Sequence, residues 1–191
     1  MLVDCAPSDA VKMNSDPSLS WPVFFDCEAS SLDGYIIEIG WAFVAMDSGA
    51  IVSAAHLVRP APDWKIRDAW SAKSERLHGI SLAHLREHGR RVEEIARIMN
   101  EELAGRELFS DACSYDERWL RQVFDAAGFE PSFIIRPTDP GILLERAAAD
   151  RNFDQARLHQ AREEAEQNRR HRAEADALIW AELWRMVTQR P

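Results

Sequence analysis

The chain has 191 residues, 29% of them charged, and a net charge of −9. That length suits one domain of ordinary size. The acidic balance argues against a broad basic grip on duplex nucleic acid, and the apolar runs fall far below the roughly 20 residues of a membrane span.

Residues 1–20 mix Asp, Ser, Pro and Asn without apolar periodicity and are expected to be a loose tail, with no secretory signal visible. The folded domain is expected over 21–191. Val23 to Phe25 begins a β-like block, Tyr35 to Ala45 is a second and Ile51 to Val58 a third. Gly34 and Asp47-Ser48-Gly49 supply turn chemistry between them, which predicts three consecutive antiparallel strands. Pro60 to Pro62 breaks the pattern, and a connector with Trp64 and Trp70 follows. Val92 to Leu103 has helical spacing, Glu107 to Ser110 is a short strand, and Tyr115 to Ala127 is a helix stopped by Gly128. Phe133 to Ile135 is a last short strand. The remainder is helical, in pieces over Ile142 to Asp150, Phe153 to Gln167 and Arg172 to Val187. Strands first, then strand–helix alternation, predict an α/β fold with a mixed sheet flanked by helices.

Chemistry gathers at three places. Asp26 and Glu28 end the first strand, and residues two apart on a strand share a face, so their carboxylates converge while Cys27 points away. Such a pair on a buried strand is costly unless a cation sits between them, and hard oxygen ligands suit Mg²⁺ or Mn²⁺. On its own Asp-x-Glu is common at exposed strand ends. Asp116 lies in the first turn of a helix after a strand, where the helix dipole alone favours an acid. Asp111, at the strand end, is a rival acid. His171 and Asp176 are five apart, roughly 140° around a helix, so they converge only if His171 precedes the helix. There it would be well placed to activate water.

Taken in order, FFDCEASSLDGYIIEIGW, SERLHGIS, Tyr115-Asp116 with Trp119-Leu120, and HRAEADA resemble the motifs of the DEDDh 3′–5′ exonucleases of the ribonuclease H-like fold. The Glu38-Ile39-Gly40 after the acidic pair is also family-like. The resemblance spans about Val23 to Trp184 and implies a five-stranded mixed sheet. It implies that Asp26, Glu28 and Asp176 hold one metal, that Asp26 bridges to a second, and that Asp116 completes the acidic set. His171 would be the general base. Two Mg²⁺ or Mn²⁺ ions would then flank an in-line displacement at the 3′ end of DNA or RNA. Ala29, Ser30, Ser31 and Leu32 would pass close to the terminal nucleotide. His78 is grouped with them on the substrate side, though by itself it reads as structural beside the Gly79 turn. Two departures stand out: Asp111-Ala112 replaces the usual His-Asn pair, and Gln155 to Arg170 is charged and glycine-free where the family has a glycine-containing loop.

The implied partners are single-stranded 3′ ends or short oligonucleotides, with no membrane. Relatives are often dimers, which leaves a homodimer open. Cys5, Cys27 and Cys113 are an odd set without metal-type spacing, so a reducing cytoplasm is the simplest setting. Trp64 and Trp70 either cover the sheet edge or stack on bases. The charged run from Glu163 to Arg172 is expected to be a solvated helix face, with Arg169, Arg170 and Arg172 candidates for the scissile phosphate. Two rival functions stay open: an exonuclease fold kept as a binding module, and a phosphoesterase for short oligonucleotides.

Overall fold

The first strand, β1, runs Val23–Ala29, one residue past Glu28, and carries both acids within it. Pairing explains the extra length. Along its whole course β1 lies antiparallel to β2, Ile36–Val44, from Val23 opposite Phe43 to Ala29 opposite Ile36. The third strand, β3 (Ile51–Leu57), is antiparallel to β2 on its other side. The computed structural model describes residues 21–189; the tail expected over 1–20 lies outside the described residues.

The stretch 63–91 holds more structure than a connector. Two seven-residue helices, α1 (Ala72–His78) and α2 (Leu82–His88), occupy it. Each begins with a serine whose hydroxyl accepts a backbone N–H of the first turn, Ser71 from Ser74 and Ser81 from His84. The resemblance pointed to α1, but α2 is too short for its periodicity to register. Trp64 and Trp70 are spent inside this region. Trp64 stacks on Tyr35 with ring centroids 5.0 Å apart, and Trp70 donates its indole N–H to Glu75 at 2.6 Å. Both are half-buried, Trp64 packed against the α3–α4 core layer and Trp70 against Ile37, Ile66, Ile80 and Leu85.

The helix α3 (Val92–Glu102) leads to β4 (Glu107–Phe109), α4 (Cys113–Ala127) and β5 (Ile134–Ile135). Gly128 ends α4 with a left-handed φ of 68°, the conformation glycine adopts without a Cβ penalty. Three helices close the chain: α5 (Pro140–Asp150), α6 (Gln155–Gln167) and α7 (Ala173–Thr188). The sheet order is β3-β2-β1-β4-β5, with β4 parallel to β1 and β5 parallel to β4. Among the described residues no helix is long and apolar enough to cross a membrane.

Alternation along β1 divides the core. Val23, Phe25 and Cys27 face the layer of α3 and α4, while Phe24 faces α5 and α7. Covered on both faces, β2 reads as a nearly continuous apolar run, IIEIGWAFV. β4 pairs with β1 only at Val23 and Phe24. Beyond that point β1 has no strand neighbour on the β4 side among the described residues, at the carboxyl ends of the parallel strands, where α/β sheets place their sites.

Candidate active site

Asp26 and Glu28 project from β1 toward α7, and Cys27 sits in the opposite core layer with its thiol pushed well up in pKa by burial. That thiol is inert packing. The second contribution comes from the turn after β4. Asp116 is 1% exposed in the first turn of α4, and the Ser110 hydroxyl donates to its carboxylate. Ser110 also accepts the Ala112 N–H at 3.0 Å, so this buried serine ties the strand end to the acid. Sequence reading passed over Ser110, because a serine beside a turn carries no chemical signature.

The third contribution is the start of α7. Glu38, 2% exposed on β2, accepts two hydrogen bonds from Arg172 Nε at 2.9 and 3.2 Å and the Ala173 N–H at 3.0 Å. It thereby caps the positive end of the helix. Gly40 completes the docking: a Cβ there would lie 2.3 Å from Glu174 N and 2.4 Å from the Ala173 carbonyl carbon, both backbone atoms. The Glu38-Ile39-Gly40 segment thus seats α7 on β2 and delivers Asp176, 2% exposed, beside Glu28. Gly40→Ala is expected to cost about 1–3 kcal/mol through overpacking. By shifting Asp176 it should also cut turnover by about tenfold or more. Thermal melts and single-turnover rates check this, and a parent-like variant on both counts would show that α7 is seated some other way.

His171 lies outside α7, which starts at Ala173 with Arg172 as its N-cap. Its φ of 51° is left-handed, a conformation costing about 1–2 kcal/mol for an L-residue. The Arg170 N–H reaches Asp176 Oδ1 at 3.3 Å, so the turn folds back over the acid. Arg172 is committed to Glu38 and Arg169 to Asp111, while the exposed Arg170 side chain has no ion-pair partner among the described residues.

These side chains form two adjoining groups, one of Glu28, His171 and Asp176, the other of Asp26, Asp111 and Asp116. Within each group the potential ligand atoms lie within 4.8 Å of one another. Asp26 stands with Asp116 and the rival acid Asp111 in this grouping, while the charges of Glu28 and Asp176 also reach it. Burial, then the charges of Asp116, Glu28, Asp176 and Asp111, holds Asp26 well above the usual carboxylate range. Burial and then Asp176 push Glu28 up to about 8. Burial raises Asp116 to about 7 even though Ser110, the Cys27 N–H and Arg169 pull it down. Burial also raises Asp176 against the opposing Arg170 N–H, Arg169 and His171. A hard, all-oxygen set whose members resist ionising together is matched to divalent cations.

A linked prediction concerns pH. The raised acids bind protons in the folded state that the unfolded chain has released, so stability falls as pH rises. Without metal, the melting temperature should fall from near pH 4 until about pH 8, where Glu28 has ionised. Added Mn²⁺ should flatten the slope. A metal-free melting temperature that climbs across this window would refute the repulsion described here.

Residues 23–184 match the RNase T family of exonucleases. The chain belongs to this family. Among solved structures it is similar to the zinc-bound E. coli exonuclease I–single-stranded DNA complex, with TM-score 0.63 and 12% identity over 88% of this chain and 40% of that one. Exonuclease I of Methylocaldum szegediense gives 0.64 at 15% identity, over 89% and 40%. Exonuclease X in complex with 5′ overhanging duplex DNA gives 0.55 at 23%, over 87% and 90%. At these identities the likeness is one of fold, the ribonuclease H-like α/β fold, and the chain spans 40% of the length of the E. coli exonuclease I chain. No curated protein matches by sequence.

In this exonuclease-family chain the β1–β2 turn is held by α4. Gln122 accepts the Ile36 N–H and donates to the Gly34 carbonyl, each at 3.0 Å, and Arg118 donates to the Leu32 carbonyl. Ala29 is buried at the end of β1. Ser30 is fully buried, donating to the Ala69 carbonyl at 2.9 Å and accepting the Tyr35 N–H at 3.0 Å. Its hydroxyl is therefore structural. Ser31 and Leu32, the latter 67% exposed, line a cavity of about 610 Å³ with Lys73, Arg76 and Leu77. His78 is buried, and its Nδ1 accepts the Ile80 N–H at 3.0 Å, which agrees with its reading as a turn residue.

Proposed function

We propose that this chain is a DEDDh 3′–5′ exonuclease that hydrolyses the terminal phosphodiester of DNA or RNA. The observation that carries this is the convergence of Asp26, Glu28, Asp116 and Asp176 from β1, α4 and α7, with His171 at their edge. Two Mg²⁺ or Mn²⁺ ions, when bound by these acids, would supply charge stabilisation for the attacking and leaving oxygens. His171 takes the proton of the attacking water as its oxygen bonds to phosphorus. The bond from phosphorus to the 3′ oxygen of the preceding nucleotide breaks, releasing a nucleoside 5′-monophosphate and a new 3′-hydroxyl. Ser31 and Leu32 orient the terminal nucleotide, and Arg118 and Gln122 keep their turn in place. DNA complexes among the similar structures support nucleic-acid ends as substrates.

The test is a 5′-labelled single strand incubated with Mn²⁺. A ladder shortening from the 3′ end, with mononucleotides released, is expected. Intact strands with retained binding would instead fit a module without turnover, which the presence of all five motif residues disfavours. The net charge of −9 favours short substrates over long polymers as a second reading. Comparing dinucleotides with long strands decides it: cleavage of dinucleotides alone would make the protein a short-oligonucleotide phosphoesterase.

A further inference from the structure

The loop that carries His171 joins two helices of unequal anchorage. Of α6, Leu158 is buried and most other positions face solvent, so the loop's contacts with it, Asn168 Nδ2 to the Glu164 carbonyl at 2.6 Å and Arg169 Nε to Glu166 at 3.3 Å, join the loop only to an open surface helix. Three further contacts tie residues 168–172 to the body of the domain. Arg172 is bound to Glu38 at the far end, the Arg170 N–H meets Asp176 in the middle, and at the near end Arg169 donates to Asp111. This last pair joins side chains only 23% and 21% exposed. The α6 pairs Arg162–Glu145 and His159–Glu163 are more open, at 33% and 61% and at 75% and 63%, where solvent and salt screen more. The contact also links the end of β4 to the far side of the acid cluster, across 58 residues of chain.

Asp111 is therefore two-sided. One oxygen receives Arg169, yet the residue stands within 4.8 Å of ligand atoms of Asp26 and Asp116. A carboxylate already bound to a guanidinium is a poor further donor to a cation, and the neighbouring positive charge opposes one. We propose that Asp111 and Arg169 form a fastener that holds the 168–172 loop, and with it His171, against the acid cluster. Both are then positioning residues for hydrolysis, acting through His171. Asp111 stands where the resembled second motif carries its His-Asn pair, so the fastener accompanies that departure. For its effect on turnover the inference rests on His171 being the base.

The full chain carrying Asp111→Ala, Arg169→Met, both together, or Arg169→Lys tests this. Backbone amide exchange over 168–172, measured without metal or substrate, should quicken in Asp111→Ala and Arg169→Met, while the interior of α7 and the far-ultraviolet spectrum stay as in the parent. Single-turnover cleavage should fall by about tenfold to a hundredfold, as expected for a displaced catalytic group. The double variant should lose no more than Arg169→Met alone, because both changes break the Asp111 contact, and the second pair of Arg169, with a Glu166 that is 70% exposed, is largely screened. Arg169→Lys should restore part of the rate, and Mn²⁺ affinity by calorimetry should match the parent in all four. In a His171→Ala background Arg169→Met should cause no further loss. Unchanged loop exchange in Arg169→Met overturns the fastener. So does weakened Mn²⁺ binding in Asp111→Ala with normal binding in Arg169→Met, which would make Asp111 a metal ligand. A fully active His171→Ala would refute the base, a failure distinct from that of the fastener, which loop exchange decides alone.

Discussion

Asp26→Asn is expected to abolish nucleotide release, by about a thousandfold or more, while the metal-free protein becomes no less stable. The first half follows from its position beside Asp116 and within reach of the charges of Glu28 and Asp176, where the loss of a charge-bearing oxygen removes stabilisation on the scale known for preorganised catalytic groups. The second half follows from electrostatics. Burial and four neighbouring carboxylates hold Asp26 above its ordinary range, so the folded protein must either keep a proton there or bear the repulsion. Asparagine has nearly the same shape and does not titrate. The gain in metal-free melting temperature should therefore vanish below about pH 4, where the parent acid is protonated in both states, and grow as pH rises. Parallel melts of parent and variant at pH 4 and pH 8, with and without Mn²⁺, measure this. A marked drop in stability at pH 8 without metal would make Asp26 chiefly a structural residue.

His171→Ala and Asp176→Ala should separate. Loss of a general base costs roughly 10²–10⁴-fold in rate, with Mn²⁺ binding retained because the carboxylates remain. Asp176→Ala should instead weaken Mn²⁺ binding by at least the roughly 10–100-fold that outer-shell changes cause. The geometry makes the comparison demanding, since a His171 ring nitrogen lies within 4.8 Å of oxygens of both Glu28 and Asp176. His171→Asn is a useful companion, because asparagine also tolerates the left-handed backbone that the loop imposes at φ 51°. It separates a missing base from a displaced loop. Calorimetric titration of Mn²⁺ followed by single-turnover assays gives both numbers. If His171→Ala and Asp176→Ala lose metal equally, His171 is a ligand; if His171→Ala cleaves at the parent rate, it has no part in the chemistry.

Much of this was readable along the string. The alternation of Phe24, Asp26 and Glu28 against Phe25 and Cys27 places the first two acids on one face by strand geometry alone. Gly128 marks the end of α4 because few other residues accept its backbone. The angular separation of His171 and Asp176 demands a break between them, and the chain has one at Arg172. Such features are local, set by a period or a dihedral preference within a few residues.

Other features arise only when distant segments meet. Glu38 and Arg172 are 134 residues apart, and nothing near either predicts that their contact seats α7. The partition of the acids into Glu28 with Asp176 and Asp26 with Asp116 and Asp111 depends on where α4 enters the gap left by the short β4. The pairing of Arg169 with Asp111 likewise turned an arginine expected at a phosphate into one bound to a carboxylate. Charge type is written in the chain, but a charge's partner is selected by packing, because electrostatic attraction is decided by distances of a few ångströms in a desolvated space.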